Sequence, residues 1–309
     1  MMETIDFACP VCEQKEYSKI KEFSDGVVVG KCGTCNLTYT PKRHNAPDDL
    51  FGEIPMEHLN VLYAPVVQNR RNHFRTKIFN KYLDKIKKYA SGKKHLDIGC
   101  AHGFFINISR KAGYEVTGIE PNKTMAEFGK NAMDLNIHNG TLDQIDLKDE
   151  KWDAISFTDS LEYFMNPVGD LKKLVEHNLN KNGVIFIKVP NGDYFKFRHN
   201  LKTKLGFGLG AAEAYSPSKR VAHYNYKTIQ LLAEKLGLET VKTGFFLPIN
   251  SPDWFKYSGV HLEIESPWWM GTKNKIVRKV IHFFGILEFG IFRKNHLSQA
   301  VYIVMRKNN

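Results

Sequence analysis

Four cysteines near the start of the chain form two closely spaced pairs. Two residues separate Cys9 from Cys12, and two separate Cys32 from Cys35. Two such pairs about 20 residues apart are typical of a zinc ribbon, in which each pair forms a turn that directs two thiolates at one tetrahedral ion. Two disulfides or four buried thiols are the alternatives, and the lack of a recognisable export signal disfavours disulfides. Because four thiolates leave no open position on the metal, we expect a structural Zn2+; His44 is a further candidate ligand that we expect at the surface instead.

A loop of small residues follows a short apolar strand in the middle of the chain. Gly99, Ala101 and Gly103 alternate with larger residues, and Asp97 precedes them. Small residues let a ligand approach the backbone closely, although a tight turn without a ligand is the alternative. Glu120 ends the next predicted strand, where an acidic residue binds ribose hydroxyls in nucleotide-binding folds. Because an acid beside the loop repels phosphate but suits a cationic amino group, the pattern favours S-adenosylmethionine over NAD.

Strands and helices alternate around this loop. Apolar runs predict seven strands, and segments with helical periodicity lie between most of them, including one from Leu171 to Leu179. Repeated βα units of this kind predict an α/β fold with a Rossmann-like, doubly wound sheet, whose ligands bind beyond the carboxyl ends of the strands. The predicted strands are 95–98, 115–119, one near Ile137, 152–157, 183–189, 238–246 and 300–306.

Six short motifs lie in order along the chain, at 96–103, 120–121, 157–162, 180–183, 190–191 and 223–225. Their order resembles that of class I S-adenosylmethionine-dependent methyltransferases. The resemblance covers residues 66–307, and the order is more specific than any single motif. Ala101 stands in place of the middle glycine of the first motif, and Tyr163 in place of a histidine common after the fourth strand. A zinc ribbon joined to such a domain resembles a subgroup that acts in sugar, polysaccharide and natural-product biosynthesis.

The resemblance implies an antiparallel last strand, S-adenosylmethionine as cofactor, and a set of residues that bind it. Asp97 would orient the amino group of the cofactor, and Glu120 would bind both ribose hydroxyls. Asp143 is a weaker candidate for the adenine amino group. The two glycines of the first motif would line the methionine moiety, and Pro121 and Leu142 would flank the adenine. Asp159 would lie beside the methionyl ammonium. The implied set consists of Asp97, Gly99, Cys100, Gly103, Glu120, Pro121, Leu142 and Asp159.

Three further residues are candidates for catalysis. Methyl transfer is an in-line displacement that depends largely on positioning, but a hydroxyl acceptor also benefits from a base. His223 is the first candidate, because it lies between the fifth strand and the next helix and histidine titrates near neutral pH. Glu162 and Tyr163 follow the fourth strand and face the same cleft. The alternatives are that Glu162 caps a helix, Tyr163 packs in the core, and His223 binds a backbone carbonyl.

Three functions from different classes fit these motifs. The first is O-methylation of a sugar, glycan precursor or other small molecule. The second is RNA methylation, for which the zinc ribbon and the basic charge argue. Against it, residues 159–162 lack the Asn/Asp-Pro-Pro-aromatic signature associated with methylation of base amines. The third is a catalytically silent binding module that keeps the cofactor fold.

Composition and charge set the expected organisation of the 309 residues. We expect a zinc ribbon at 1–45, a linker and leading helix at 46–92, and a methyltransferase domain at 93–309 with an insert at 250–298. Lys and Arg number 44 against 33 Asp and Glu. Such an excess suits an anionic acceptor, such as a nucleotide sugar or a lipid-linked glycan, and nucleic acid less well. We expect a cytoplasmic protein, because no apolar run spans a membrane and the first residues lack the order of a signal peptide.

The insert carries an apolar stretch, residues 276–287, with basic residues on both sides. One interpretation is an interfacial segment that contacts anionic lipid at the inner membrane face. The other, which we prefer at this stage, is a helical cap or homodimer contact packed on the sheet. The loop at 191–220 is rich in lysine, glycine and aromatic residues, and we expect it to act as a mobile lid.

Overall fold

The computed structural model describes residues 4–44, 74–204, 206, 215, 220–246 and 275–307. Within these ranges the chain forms two sheets and seven α-helices. The strands are β1 Thr4–Asp6, β2 Tyr17–Glu22, β3 Val28–Cys32, β4 Thr38–His44, β5 Lys94–Ile98, β6 Glu115–Glu120, β7 Ile137–Asn139, β8 Trp152–Thr158, β9 Leu179–Pro190, β10 Ala222–His223, β11 Leu238–Phe246 and β12 Ala300–Lys307. The helices are α1 Phe74–Tyr89, α2 Phe104–Lys111, α3 Lys123–Met133, α4 Pro167–Lys173, α5 Gly192–Lys204, α6 Tyr226–Lys235 and α7 Lys275–Phe292.

The larger sheet has seven strands in the order β11-β12-β9-β8-β5-β6-β7. The pairs among β9, β8, β5, β6 and β7 are parallel, whereas β12 pairs antiparallel with both β9 and β11. Residues 184–187 in β9 are fully buried, which is the pattern of a central strand covered on both faces. The predicted Rossmann-like sheet and its antiparallel last strand are therefore confirmed.

Some element boundaries differ from the prediction. The helix expected to begin at Leu171 begins at Pro167, because the Asn166 side chain accepts a hydrogen bond from the amide of Gly169 and proline suits the first helical position. A single π-helical turn, Leu174–Asn178, then leads directly into β9. This strand therefore starts at Leu179 rather than at Gly183, with a register shift against β8.

The smaller sheet and the turns between its strands carry the cysteine pairs. Its main path is β1-β4-β3-β2, and β10 from the later part of the chain pairs antiparallel with β4. Ala222 lies opposite Tyr39 and His223 opposite Thr38. Cys9, Cys32 and apolar residues of this sheet belong to the same buried cluster as β8 and β9. The two sheets therefore share one continuous core.

Three of the predicted regions lie only partly within the described residues. The expected lid contains helix α5, and most of 205–219 lies outside the described residues. The expected linker, up to residue 73, and the tryptophan-containing part of the insert also lie outside them. The apolar stretch of the insert forms α7. Of the helices in the described ranges, none has the length and apolar character needed to cross a membrane.

Candidate cofactor and metal sites

A cavity of about 820 Å3 lies beyond the carboxyl ends of β5, β6 and β8. Its glycine-loop side is formed by residues 98–102, 104–105, 119–121, Met125 and 140–143, and its turn side by residues 158–160, 163–166, Asp170 and Lys188. Helix α1 covers part of the opening with Ile78, Phe79 and Tyr82. The volume is in the range of small-molecule binding sites, and the position is where parallel sheets of this kind bind ligands.

The glycine loop turns sharply between β5 and α2. Gly99 has φ 73° and Gly103 has φ 77°, and Ala101 adopts the same left-handed region with φ 48°. A Cβ on Gly99 would lie 2.5 Å from the Cβ of Ser160, so glycine is required there for space as well as for conformation. Ser160 itself donates a hydrogen bond from Oγ to the carbonyl of Ile98. The end of β8 therefore fixes the start of the loop.

Glu120 anchors both neighbouring segments of the glycine-loop side. Its Oε2 accepts a hydrogen bond of 2.8 Å from the amide of Ala101, and its Oε1 accepts one of 2.9 Å from the amide of Asn122. Burial raises the pKa of Glu120, and these two amides oppose that rise. The carboxylate lies in the cavity wall, where it can accept hydrogen bonds from a ligand that bears hydroxyl groups.

A buried polar chain lies behind the loop. The Ser156 hydroxyl donates to Asp97, and His95 bridges the hydroxyls of Ser156 and Ser109 at 2.8 and 2.9 Å. Burial, together with the charge of Glu120, raises the pKa of Asp97 to about 7. Burial lowers the pKa of His95 to about 3, so this ring is neutral at neutral pH. Asp97 does not line the cavity directly; it supports the loop from within the sheet.

An ion pair forms part of the turn side. The Lys188 ammonium contacts both carboxylate oxygens of Asp159, and the two residues are also joined by a backbone hydrogen bond between neighbouring strands. Burial is the largest single influence on Lys188 and by itself would lower its pKa. The charge of Asp159, its hydrogen bond and the charges of Tyr82 and Glu162 together outweigh burial, so the pKa is raised. Lys188 was not predicted as a site residue. The signal that could have revealed it is a lysine within the apolar run of β9.

Glu162 and Tyr163 lie in a single 3-10 turn, Leu161–Tyr163, which follows Asp159 and Ser160. Tyr163 lines the cavity, whereas Glu162 is buried beside it with 1% of its surface exposed. Burial, with the charge of Asp159, raises the pKa of Glu162 to about 8. Neither carboxylate oxygen of Glu162 has a hydrogen-bond partner among the described residues. Nothing among the described hydrogen bonds therefore stabilises the ionised form of this carboxyl group, in agreement with its raised pKa.

His223 lies on β10, outside the described cavity lining. It is buried and packs edge-on against Tyr215, with ring centroids 5.5 Å apart. Burial, with the charge of Arg220, lowers the pKa of His223 to about 3. His223 does not belong to the described cavity lining, and its role in catalysis stays a prediction.

Backbone contacts join this region to the small sheet. The amide of Val221 donates to the carbonyl of Glu162 at 2.8 Å, and the amide of Thr40 donates to the carbonyl of Val221 at 2.9 Å. The Thr40 hydroxyl also donates to the carbonyl of Arg220 at 2.9 Å. Strand β4 of the small sheet therefore holds the segment before β10, and this segment holds the turn with Glu162.

The four predicted metal ligands are brought together at one point. The Sγ atoms of Cys9, Cys12, Cys32 and Cys35 all lie within 4.8 Å of one another, and all four are free thiols. Four converging sulfur ligands fit a tetrahedral structural Zn2+ site and leave no open coordination position. His44 is not part of this group; its Nε2 lies 3.4 Å from a carboxylate oxygen of Asp25.

Most of the predicted site residues line the cavity, and some do not. Gly103 starts α2 behind the loop, where a Cβ would lie 2.5 Å from Leu135. Met165, which accepts a weak hydrogen bond from Arg43 of β4, lines the turn side and was not predicted. The predicted residues that line the cavity are Gly99, Cys100, Glu120, Pro121, Leu142, Asp143, Asp159 and Tyr163.

Comparison with known proteins agrees with this architecture. Coclaurine N-methyltransferase bound to N-methylheliamine and SAH is 15% identical, with 84% of this chain and 81% of that chain covered and a TM-score of 0.53. A SAM-dependent methyltransferase from Archaeoglobus fulgidus is 19% identical, with coverage of 80% and 98% and a TM-score of 0.49. At 15% identity, the likeness to coclaurine N-methyltransferase shows the fold alone. No curated protein matches the sequence.

The family comparison goes further than the fold. The sequence profile of a family described as a methyltransferase domain matches residues 71–243, more than half of the chain. The matched range contains the glycine loop, Glu120, the 3-10 turn and β10. The chain therefore belongs to this methyltransferase-domain family, and the prediction of an S-adenosylmethionine-dependent methyltransferase is confirmed.

Proposed function

We propose that the protein methylates a hydroxyl group of a sugar, a glycan precursor or another small molecule. The observation that carries this proposal is the continuity of the cavity. One space of about 820 Å3 joins the glycine-loop side to the turn side. Such a volume accommodates a cofactor and a small acceptor next to each other, which is the arrangement that direct methyl transfer needs.

The glycine-loop side fits S-adenosylmethionine. When bound, this cofactor supplies an electrophilic methyl group on a sulfonium centre. Glu120 would accept hydrogen bonds from the ribose hydroxyls, while Pro121 and Leu142 would flank the adenine. The absence of a phosphate-binding lysine or arginine from this side, among the described lining residues, agrees with a ligand that carries no phosphate. Asp159 would lie near the cationic amino group at the boundary with the turn side.

The turn side would hold the acceptor. Tyr163 and Met165 line it and would contact the acceptor directly. A hydroxyl group must lose its proton as the new carbon–oxygen bond forms, and we assign the acceptance of that proton to a carboxylate oxygen of Glu162. Its pKa of about 8 makes it a stronger base than an ordinary carboxylate, and its burial beside Tyr163 keeps it close to the cavity.

The zinc ribbon would act by supporting this side of the cavity. Strand β4 pairs with β10, and the segment before β10 holds the turn with Glu162 through the amide of Val221. Four thiolates in a closed site supply no position for an acceptor, so the metal would stabilise the ribbon rather than take part in the reaction.

A methyl-transfer assay tests the proposed class of acceptor. The purified protein is incubated with S-adenosylmethionine and either a panel of nucleotide sugars and simple glycosides or total RNA, and formation of S-adenosylhomocysteine is measured. We expect turnover with a member of the first panel and none above background with RNA. Turnover with RNA that declines steeply as salt is raised would overturn the small-molecule assignment in favour of RNA methylation.

A further inference from the structure

We propose that helix α7 docks the protein on an anionic membrane surface through an exposed apolar face. This face consists of Val280, Phe283, Phe284, Leu287 and Ile291. The spacing of three, four and seven residues places these side chains on one side of an α-helix. Methylation at the cavity does not require such a face, so the proposal concerns a second property of the chain.

The opposite side of α7 is fixed to the domain. The Phe289 ring contacts Tyr226 with ring centroids 4.7 Å apart and Phe245 with centroids 5.3 Å apart. Gly285 lies against Asn295, where an added Cβ would come within 2.9 Å of the side chain. Because these contacts set the rotation of the helix about its axis, the apolar face points away from the domain.

The exposure of this face is large for such side chains. Phe283 is 57% exposed, Phe284 56% and Ile291 71%. Single exposed apolar residues are common, but a contiguous set of large ones marks a surface that contacts a partner or a membrane. The sequence pattern favoured a helix packed as a cap or in a homodimer. Among the residues that the structure describes, α7 packs on the domain with one side.

Basic residues lie at both ends of the helix. Arg293 and Lys294 are exposed directly after its C-terminal end, and the sequence places Lys275, Arg278 and Lys279 in its first turns. The helix contains a single acidic residue, Glu288, whose carboxylate is bound to His296. With its other side packed on the domain, α7 can insert this apolar face at the boundary between headgroups and acyl chains while the basic residues contact the headgroups.

Helix α5 contacts the segment that follows α7. The ring of Phe197 lies 5.5 Å from that of His296, and Phe197 is 36% exposed. Lys196 and Lys204 on this helix are exposed as well. This helix thus adds one exposed aromatic ring and further positive charge near the C-terminal end of α7, and that charge complements acidic phospholipid headgroups. Two copies of this surface would bring like charges together, so the charge pattern favours a lipid surface over a second copy of the chain.

Vesicle flotation tests the proposal with the full chain. The protein is mixed with vesicles of phosphatidylcholine alone or with about 30% phosphatidylglycerol, and the bound fraction is measured. We expect at least about tenfold stronger partitioning to the anionic vesicles, decreasing as salt is raised. The variant F283S/F284S/I291S should lose about tenfold or more of this partitioning.

Two further variants complete the test. I5S/I20S removes exposed apolar residues of the small sheet and should partition like the wild type. R293Q/K294Q should weaken partitioning by about fivefold for each charge without loss of apolar surface, and it serves if the triple variant does not fold. Calorimetric binding of S-adenosylmethionine checks that each variant keeps its fold.

Two results would overturn the proposal. The first is equal partitioning of the wild type to both kinds of vesicle, or partitioning that the charge variant leaves unchanged. The second is that the wild type binds neither kind of vesicle and is a dimer by light scattering, whereas the triple variant is a monomer. The apolar face would then be a subunit interface.

Discussion

The two sides of the cavity depend on contacts over very different distances along the chain. On the glycine-loop side, the amide of Ala101 donates to Glu120, 19 residues away. On the turn side, the support runs through the hydrogen bond between Thr40 and Arg220, 180 residues apart, and through the amide of Val221 to Glu162. Short βα units form the first side, whereas the part of the second side around Glu162 is also held by the small sheet. We therefore expect the first to tolerate loss of the zinc ribbon and the second to depend on it.

Removal of a zinc ligand separates the two sides most strongly. In C32S we expect loss of the metal and at least about a 1,000-fold loss of methyl transfer, because a structural Zn2+ site of this kind supplies much of the folding energy of its module. The affinity for S-adenosylmethionine should change by less than about threefold, since no ribbon residue lines the glycine-loop side. Metal analysis, turnover and calorimetry measure the three quantities.

The free thiol of Cys100 provides the control for this substitution. C100S changes a cysteine outside the zinc group and should keep the full metal content. Chelator treatment of the wild type should reproduce the C32S result without any substitution. An equal loss of cofactor affinity and methyl transfer in C32S would contradict the division into two independently supported sides.

Substitution of Glu120 tests the glycine-loop side alone. E120A removes the acceptor proposed for the ribose and also releases the amides of Ala101 and Asn122. We expect the Kd for S-adenosylmethionine to rise by about 100-fold, or ~3 kcal/mol, because hydrogen bonds to a charged group are worth about 1.5–3 kcal/mol each. Zinc content should not change. E115A, at the exposed start of the same strand, is the matched control and should bind the cofactor normally.

These two sides also differ in how well the sequence predicts them. Gly99, Glu120 and Asp159 follow strands that are recognisable as apolar runs, so their common position at one edge of the sheet could be predicted. The spacing of the four cysteines likewise predicted that their thiols lie together. By contrast, nothing local in the sequence indicates that β10 pairs with β4 or that Arg43 reaches Met165. Pairings over such distances depend on the shape and burial of whole surfaces, which local patterns do not encode.

Substitution of Glu162 tests the turn side. If this carboxyl group accepts the proton, the rate should rise with pH around its pKa of about 8, because only the ionised form is a base. E162Q should lower kcat by about 100-fold at pH 8 and remove this rise, with the Kd for S-adenosylmethionine unchanged. H223Q provides the comparison between the two candidate bases. A rise near pH 8 that persists in E162Q would exclude Glu162 as the base.

The same variant has an expected effect on stability. The pKa of Glu162 is raised from 4.5 in the unfolded chain to about 8 in the folded protein, so between these values the folded state binds more protons. Stability contributed by the neutral carboxyl is thus complete below pH 4.5 and is lost as pH rises to about 8. Above pH 8, E162Q should unfold at a higher temperature than the wild type, by at least about 2 °C. Equal melting temperatures at pH 9 would contradict the raised pKa.

The smallest expected effect concerns the left-handed alanine in the glycine loop. Ala101 adopts φ 48°, a left-handed conformation that costs a residue with a Cβ roughly 1–2 kcal/mol. Glycine adopts this conformation freely, but it loses more backbone entropy on folding. A101G should therefore stabilise the protein by only about 0.5 kcal/mol, whereas the control A112G, at φ −90°, should destabilise it by a similar amount. Thermal unfolding measures both. A rise in stability with unchanged cofactor affinity would mean that the strain at Ala101 is local. A loss of affinity would mean instead that Ala101 holds its amide in place for Glu120, and that the glycine-loop side depends on this strained backbone as the turn side depends on the ribbon.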